Sequence, residues 1–355
     1  MSMFNGKRLK IEIFGESHST KIGVSVSGFP RFKFDVTALK DFLARRKAGA
    51  NVYSTARKES DEPVFTGVNG DVIDGDFTAE IFNADVKSKD YADLYGKPRP
   101  SHADYAWHVK DGTLDFSGGG RFSGRLTAPF CIIGGLCKQY LATQGINVTA
   151  YVSSIHGVKG LSYKSPDFCI EKLAVLKNSS FPSLSSGEDM LTEIAAAREN
   201  LDSVGGVIDC VVTGLKAGVG NDTFDGLEGK ISSLIFAVPA VKGVEFGAGF
   251  SITDMFGSQA NDELYMRDGK VDFYTNNSGG INGGISNGNF LSLSVAVKPT
   301  PSIAKPQRTV DLTVGKDCVI SIHGRHDACI VPRAVPVVES AVAIALADEL
   351  LGETL

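Results

Sequence analysis

The chain lacks the features expected of a secreted or membrane-bound protein. Its six cysteines include no CxxC pair, and most of them sit among apolar neighbours, which predicts reduced, buried thiols and no disulfide framework or zinc site. No apolar run reaches the ~18 residues of a membrane span, and the first fifteen residues contain no secretory stretch of roughly 7–15 apolar residues. We therefore expect a cytoplasmic protein that does not associate with membranes.

An excess of basic charge is also missing. The sequence has 36 lysines and arginines against 41 acidic residues, a formal net charge of −5. This balance argues against a protein built mainly to bind nucleic acid or an anionic membrane. Any anion that the chain binds must be held by a local cluster of basic residues.

Two common nucleotide-binding motifs are absent as well. No G-x-G-x-x-G follows a predicted strand and opens a helix, and no G-x-x-x-x-G-K-[ST] occurs, so neither a Rossmann dinucleotide site nor a P-loop is indicated. What the chain does have is glycine. Its 40 glycines make up about 11% of 355 residues, against a usual share of roughly 7%. Because the surplus is clustered, it indicates tight backbone loops.

The remaining composition, 43% hydrophobic and 22% charged, is that of a soluble globular protein. Segments rich in β-branched and aromatic residues predict strands at 9–14, 23–28, 207–213 and 291–297. Apolar periodicity predicts helices at 36–46, 128–141, 189–201, 226–236 and 334–351. The order favours one layered α+β domain over residues 1–355, with a surface insertion near 159–187. Two helix–glycine–strand segments, 201–213 and 238–252, suggest an internal pseudo-repeat.

Two glycine-rich loops carry the clearest functional signal. SGGGRFSGR at 117–125 precedes a predicted helix, so backbone N–H groups, the helix N-terminus and two arginines can surround an anion. NNSGGINGGISNG at 276–288 is followed by a strand and by KPTPS at 298–302, where Lys298, Thr300 and Ser302 can hold phosphate oxygens. A turn with solvated arginines in the first case, and a bare hairpin loop in the second, remain open as alternatives.

Two histidine-containing segments and the basic runs complete the set. FGESH at 14–18 places His18 on a loop after a strand, where a histidine can exchange protons near neutral pH, although a capping histidine is the plainer reading. GRHD at 324–327 pairs an arginine with a carboxylate, which alone predicts a surface ion pair. We expect the basic runs RRK at 45–47 and RK at 57–58 to be exposed to solvent, unless a ligand with several anionic groups binds to both of them.

Taken in order, these segments resemble the chorismate synthase family over nearly the whole chain. GESH at 15–18, GGRFSGR at 119–125 and GRHDAC at 324–329 are similar to the three diagnostic motifs of that family. RPSHADY at 99–105, DSVGG at 202–206, PAVKGVEFG at 239–247 and the loops at 276–288 and 298–302 resemble its internal blocks. The resemblance implies a β-α-β sandwich and a homotetramer. It also implies a 1,4-elimination of phosphate from 5-enolpyruvylshikimate 3-phosphate that gives chorismate and requires reduced FMN without net redox change.

The resemblance also implies roles for individual residues. His18 corresponds to the histidine that protonates the departing phosphate, His102 to the one that sets the protonation of the reduced flavin, and Asp327 to the carboxylate that works with flavin N5 to remove the C6 proton. The implied substrate ligands are Ser17, Arg46, Arg125 and Arg325. The implied FMN ligands are Arg121, Phe122, Ser123, Ala240, Gly283, Lys298, Pro299, Thr300, Pro301, Ser302 and Arg325. No metal is implied.

The chain departs from the family pattern at four positions, which are Ser19, Val52, Phe122 and Leu126. None of them removes an implied catalytic group, so affinity and loop geometry are more affected than activity. The source of the electrons stays open between a separate flavin reductase and an NADPH-dependent activity within the chain. Two alternative functions also remain, an inactive flavin-binding relative and another phosphate-handling enzyme.

Overall fold

Two antiparallel sheets enclose a layer of helices. The computed structural model describes residues 2–17, 19–47, 61–83, 94–116, 118–177, 179–322 and 327–353. The first sheet contains β1 (Ser2–Asn5), β2 (Lys10–Phe14), β3 (Lys21–Ser27), β4 (Phe32–Lys33), β5 (Val64–Asn69) and β6 (Val72–Phe82), in the order β1-β2-β3-β6-β4 with β5 also paired to β6. The second contains β7 (Asn147–Ile155), β8 (Val158–Lys159), β9 (Gly206–Thr213), β10 (Val241–Phe246) and β15 (Leu291–Val297), in the order β10-β15-β9-β7-β8.

Shorter elements surround these sheets. Three hairpins are formed by β11 (Leu264–Arg267) with β12 (Lys270–Phe273), β13 (Ile281–Asn282) with β14 (Ile285–Ser286), and β16 (Gln307–Asp311) with β17 (Lys316–Ile320). The α-helices of the described residues are α1 (Val36–Ala44), α2 (Asp104–Asp111), α3 (Thr127–Thr143), α4 (Gly187–Glu199), α5 (Leu227–Phe236), α6 (Gly257–Ala260) and α7 (Val331–Glu353). Short 3₁₀ helices include Gly120–Phe122 and Gly124–Leu126, which lead into α3.

The helices α3 and α7 form the centre of the sandwich. α3 packs on β3 and β6 of the first sheet, α7 packs on β7 and β9 of the second, and the two helices pack on each other. They approach closely because Gly134 has no side chain: a Cβ there would lie 2.1 Å from Cβ of Ser340. Both helices are apolar nearly all round, as expected for helices that are covered on every side.

Buried carboxylates on α7 fix its position. Glu339 accepts hydrogen bonds from Arg45 at 2.8 and 2.9 Å and from the backbone N–H of Ala150 at 2.9 Å, and it also pairs with Lys138. Burial raises the pKa of Glu339, but the two cations outweigh burial and bring the pKa to about 2. Asp348 accepts the backbone N–H groups of residues 7–9, which ties the β1–β2 turn to α7. A buried charge is tolerated when it is paired in this way.

The sequence-based fold prediction is confirmed. The predicted strands correspond to β2, β3, β9 and β15, and the predicted helices to α1, α3, α4, α5 and α7. The layers are those of an α+β sandwich and match neither a Rossmann fold nor a P-loop fold. Both halves of the suggested pseudo-repeat fold as helix then strand, α4–β9 and α5–β10, on either side of β15; the repeat itself and the single-domain assignment stay predictions.

The cysteine prediction holds for most of the thiols. Cys131, Cys137, Cys210 and Cys329 are buried, whereas Cys318 is half-buried and Cys169 is exposed. Burial raises the pKa of Cys131 to about 11, which keeps that thiol protonated and unreactive. Among the described residues, no helix is long and apolar enough to cross a membrane.

Candidate active site

A cavity of about 910 Å³ opens beside the start of α3 and α7. The described residues that line it include seven cationic side chains against three carboxylates. The cations are Arg46, Arg99, Arg121, Arg125, Lys242, Lys298 and Arg333, and the carboxylates are Glu16, Asp61 and Asp327. In a chain of net charge −5, this local surplus fits a ligand with several negative groups.

The inner end of the cavity is a buried arginine cluster, which we define as Arg46, Asp61, Arg125, Asp327 and Arg333. Arg46 and Arg125 both donate to the carboxylate of Asp61, and the side chains of all three are 5% exposed or less. Burial raises the pKa of Asp61, but the charges and hydrogen bonds of the two arginines outweigh burial and hold the pKa below its ordinary value. One ionised carboxylate therefore fixes two guanidinium groups against the same cavity wall.

Three further contacts complete the cluster. Arg125 Nε donates to Asn83 Oδ1 at 3.0 Å, and Arg46 Nη1 donates to Thr127 Oγ1 at 3.3 Å. Arg333 donates through Nε to the backbone carbonyl of Arg46 at 3.0 Å and through Nη1 to the carboxylate of Asp327. Burial lowers the pKa of Arg333, and Asp327 partly opposes that effect. Arg333 thus connects the carboxylate of Asp327 to the segment that carries Arg46.

His102 occupies a different wall of the cavity. Its Nδ1 lies 2.5 Å from Oδ1 of Asp104, and its side chain is 14% exposed. Arg99 donates to the same carboxylate through Nε at 2.7 Å and through Nη2 at 2.8 Å. Burial raises the pKa of Asp104, but these bonds outweigh burial and bring the pKa to about 2.

The outer end, which we call the mouth, is half-exposed and aromatic. The guanidinium of Arg121 lies 4.7 Å above the ring of Trp107, and Phe122 meets the same ring edge-on at 5.4 Å between centroids. Arg121 is also 3.8 Å from Glu16, with its side chain 45% exposed. Gly119 lets this loop turn tightly, because a Cβ there would lie 2.7 Å from Cβ of Ser123.

The segment 298–302 borders the mouth on the other side. Lys298 donates its backbone N–H to the carbonyl of Ala240 at 2.9 Å, and Ala240 has a φ of +72°, a conformation that costs a non-glycine residue free energy. Burial and Lys242 lower the pKa of Lys298. The hydroxyl of Thr300 is buried without a hydrogen-bond partner among the described residues, and Ser302 is buried beside it. Such a hydroxyl indicates a polar ligand at this point.

The sequence matches a known family over almost its full length. A family model described as Chorismate synthase matches residues 9–351. The chain belongs to the chorismate synthase family. Curated relatives include the chorismate synthase of Thermococcus kodakarensis, 44% identical over 350 residues that cover 98% of this chain and 97% of the relative. Those of Lancefieldella parvula and Methanocaldococcus jannaschii are 41% and 39% identical, over 97% and 98% of this chain and 95% of each relative.

A solved structure agrees on the fold. The crystal structure of a chorismate synthase superposes with a TM-score of 0.75 at 24% identity, covering 98% of this chain and 93% of that one. At that identity the likeness supports the fold, while family membership rests on the sequence relatives.

Most of the family residues predicted from the sequence meet at this one cavity. It is lined by Arg46, His102, Arg121, Phe122, Ser123, Arg125, Ala240, Lys298, Thr300, Pro301, Ser302 and Asp327. Ser17 is buried, and its backbone N–H donates to the carbonyl of Gly120 at 3.3 Å, which joins the first motif to the second. His18, Arg325 and Val52 lie outside the described residues.

The structure does not bring Gly283 to the cavity. Gly283 lies in the β13–β14 hairpin, which contacts the N-terminal end of α5 through a bond from Leu227 N–H to the Gly284 carbonyl at 2.9 Å. The cavity is lined by the C-terminal end of α5. The hairpin and the cavity therefore lie at opposite ends of a helix of ten residues, which is roughly 15 Å long. Gly284 serves packing, since a Cβ there would lie 2.3 Å from the Asn221 carbonyl, whereas a Cβ on Gly283 would meet nothing within 4 Å and that residue has a φ of +61°. Pro299 packs against Gly205. Its two neighbours in the sequence, Lys298 and Thr300, both line the cavity.

Three of the four departures from the family pattern have a structural account. Phe122 and Leu126 both line the cavity, where Phe122 extends the aromatic wall made by Trp107. Ser19 caps its loop: its hydroxyl contacts the Glu16 N–H at 2.9 Å and the Glu16 carbonyl at 2.8 Å.

Sequence reasoning assigned no role to Asp61, Asp104 or Arg333. Asp104 lies in the segment RPSHADY at 99–105, two residues after His102. That spacing was a signal in the sequence that the two side chains could interact. Asp61 pairs with Arg46 and Arg125, which are 15 and 64 positions away, and no local pattern marks such pairs. Arg333 donates to the Arg46 carbonyl 287 positions away and to Asp327 six positions away. Among the described residues, no group of three or more His, Cys, Asp or Glu side chains forms a metal site.

Proposed function

We propose that this chain eliminates phosphate from 5-enolpyruvylshikimate 3-phosphate in a 1,4 sense to give chorismate, with reduced FMN bound and no net redox change. Family membership makes the chain a chorismate-forming lyase. The observation that carries the detailed proposal is the buried arginine cluster, because the substrate bears two carboxylates and a phosphate. Guanidinium groups bind both kinds of anion in two-pronged geometry.

The substrate anions bind at the inner end. Arg46 and Arg125 are held by Asp61 before the substrate arrives, so little reorganisation is needed when charge develops on the leaving phosphate. Ser17 and Arg325 are assigned to the same anions from the sequence motifs. His18, assigned in the same way, donates a proton to the departing phosphate.

Asp327 accepts the proton from C6 of the substrate. Its carboxylate is 8% exposed and is held by Arg333, which in turn is held by the carbonyl of Arg46. This chain of contacts supports the proposal, because it links Asp327 to the segment that carries Arg46. A proton acceptor in a nearly dry site is screened little by solvent.

The residues of the mouth fit the phosphate and ring of FMN. The unpartnered hydroxyl of Thr300, the nearby Ser302 and the charges of Lys298 and Arg121 would hold the phosphate, with Phe122, Ser123, Ala240 and Pro301 around them. When bound, reduced FMN supplies electron density to the substrate as phosphate leaves. Its reduction comes either from a separate reductase or from NADPH at this chain, and the experiment below separates the two.

A homotetramer in the cytoplasm completes the proposal. The hairpin of β11 and β12 and the segment before it expose large apolar side chains, which are Phe250, Phe256, Leu264, Met266, Val271 and Tyr274. Several large apolar side chains exposed in one region of the chain support a subunit interface there. An inactive flavin-binding relative and another phosphate-handling enzyme are disfavoured, because His102 and Asp327 are both present and held at the cavity.

Anaerobic turnover tests the proposed function. With chemically reduced FMN, we expect chorismate and inorganic phosphate in equal amounts while the flavin stays reduced. Oxidised FMN alone is the control and should give neither product. Product formed anaerobically from oxidised FMN plus NADPH would assign the reductase activity to this chain. The absence of chorismate with reduced FMN would contradict the proposal.

A further inference from the structure

The Arg99–His102–Asp104 group contains a second carboxylate with a specific task. We propose that Asp104 is a positioning residue that holds His102 in the tautomer with the proton on Nδ1, so that the unprotonated Nε2 serves the ligand in the cavity. The use of Nε2 in catalysis rests on the proposed function, whereas the tautomer itself does not.

Both carboxylate oxygens of Asp104 are engaged by neighbouring nitrogen atoms. Oδ2 accepts from the backbone N–H of Arg99 at 2.9 Å and from Arg99 Nε at 2.7 Å. Oδ1 accepts from Arg99 Nη2 at 2.8 Å and lies 2.5 Å from Nδ1 of His102. The remaining contact of Arg99 Nη2 is with the carbonyl of Gly118 at 2.6 Å. The side chain of Arg99 is thereby fixed by three hydrogen bonds to two groups and cannot follow His102 if the ring turns.

The direction of the proton follows from the chemistry of these groups. With its pKa brought to about 2, Asp104 is ionised at neutral pH and only accepts hydrogen bonds. Nδ1 of His102 must therefore carry the proton that it shares with Oδ1. Arg99 Nη2 lies 3.1 Å from the same nitrogen, but Nδ1 already bears a hydrogen, so this approach is not a hydrogen bond. In the neutral ring, Nε2 is left as the acceptor.

The surroundings make this arrangement rigid. The side chains of Arg99 and Asp104 are 3% and 5% exposed, so water does not compete for their bonds. Asp104 is also the first residue of α2, where a negative charge is stabilised by the helix dipole. A carboxylate that orients a histidine in this way acts on catalysis through the histidine alone.

Nuclear magnetic resonance of the intact protein tests the tautomer without turnover. Protein labelled with ¹³C,¹⁵N-histidine is studied in the solid state at a pH near 8, above the ordinary histidine pKa of about 6.5. The His102 signal is the one missing from His102→Ala. We expect protonated Nδ1 in the wild-type protein. Protonated Nε2 there would overturn the proposal, whatever any variant does.

Asp104→Asn should reverse the tautomer. Because Oδ2 of Asp104 accepts two donors of Arg99, the new amide oxygen should take that place. Its NH₂ group then faces Nδ1 of His102 and drives the ring proton to Nε2. Asp111→Asn, at the exposed C-terminal end of the same helix, is the matched control and should leave the tautomer unchanged. An unchanged tautomer in a folded Asp104→Asn protein would also overturn the proposal.

A double-mutant cycle links the tautomer to the reaction. We expect Asp104→Asn to lower kcat by about 10²-fold, with no further loss when His102 is already alanine. A full additional loss in that background would mean that Asp104 acts independently of His102, which contradicts the inference. If His102→Ala retains full activity, the proposed role of His102 fails, and the resonance experiment still decides the role of Asp104.

Discussion

The two ends of the cavity bind charge by different means. At the inner end, each cation has a carboxylate partner, and the side chains of Arg46, Asp61 and Arg125 are 5% exposed or less. At the mouth, Arg121 is 45% exposed and rests on an aromatic ring, while Lys298 is bonded to Ser101, a neutral residue. The inner end is therefore fully organised before any ligand arrives, and the mouth is not.

This difference predicts different consequences of mutation. Removing one member of a buried ion pair leaves a charge that is neither solvated nor paired, which costs both stability and geometry. Removing a half-exposed cation costs mainly the attraction for a ligand, which salt weakens. The predictions below test this contrast.

The largest effect is expected at Asp327. Asp327→Asn keeps the shape but removes the proton acceptor, so kcat should fall by roughly 10²–10⁴-fold. The kinetic isotope effect from deuterium at C6 should grow, because proton removal becomes slower relative to other steps. Single-turnover kinetics with protiated and deuterated substrate measure both quantities, and Asp317→Asn on exposed β17 is the control. A near-wild-type rate would exclude Asp327 as the base.

His18 has a companion prediction from the sequence alone. His18→Ala should lower kcat by roughly 10²–10⁴-fold and leave FMN binding nearly unchanged. The same single-turnover assay measures this loss. Unaltered turnover would show that the phosphate leaves without this acid.

Asp61→Asn should damage stability and turnover together. Two buried arginines lose their shared anion, so the free energy of unfolding should fall by about 3–5 kcal/mol, and kcat/KM should fall by about 10²-fold as the arginines move. Denaturant unfolding and steady-state kinetics measure the two effects. Asp71→Asn, whose carboxylate is half-exposed 3.5 Å from Lys33, should cost less than about 1 kcal/mol. Equal losses in both variants would show that the buried pair of arginines on Asp61 contributes no more to stability than an exposed ion pair.

Lys298→Met should weaken the mouth selectively. We expect the Kd for FMN to rise about tenfold, with kcat at saturating flavin little changed, and the loss should shrink as salt increases. Quenching of Trp107, the only tryptophan of the chain, provides the binding signal because its ring lines the cavity. Lys305→Met, outside the cavity lining, is the control. A large fall in kcat at saturating flavin would assign Lys298 to the chemistry instead.

Because the pKa values of Asp61 and Lys298 are both lowered, both ends should gain stability as the pH rises, but in different pH ranges. The pKa of Asp61 is lowered in the folded protein, so its stabilisation is present above the ordinary carboxyl pKa of 3.8 and is lost as the pH falls below that value. The pKa of Lys298 is also lowered, so its charge costs stability at neutral pH, and the cost disappears as the pH rises toward 10.5. Unfolding free energies from pH 3 to 10 test this. The difference between wild type and Asp61→Asn should shrink in acid, and a constant difference would contradict the account.

The sequence predicted the elements well because their patterns are local. The stretch LSLSVAV puts Leu291, Leu293 and Val295 on one face of β15, and the structure buries that face in the core. Helix α7 was predicted a few residues short, from 334, although it begins at Val331. Pro332 stands at its start, where proline is compatible with a helix, and the pattern alone did not distinguish that position from a break.

The site was predicted in part, and the reason again lies in distance along the chain. Residues in contiguous motifs, such as Arg121 and Arg125, were predicted to bind FMN and substrate, respectively; the structure brings both to one cavity, and their roles stay predictions. Asp61 was missed because it meets Arg46 and Arg125 only when the end of α1 and the start of α3 pack together. Arg333 was missed because its bond to the Arg46 carbonyl joins the end of α1 to the start of α7. Gly283 was assigned to the cofactor from the family resemblance, and the structure does not include it in the cavity lining.

A crystal structure with FMN and 5-enolpyruvylshikimate 3-phosphate bound tests the division of the cavity most directly. We predict the flavin phosphate at the mouth, with Thr300 Oγ1, Ser302, Lys298 and Arg121 around it, and substrate anions at the inner end on Arg46 and Arg125. The position of Asp61 should be unchanged, since that end is already organised. A flavin phosphate far from residues 298–302, or a substrate that does not touch the two arginines, would contradict the account.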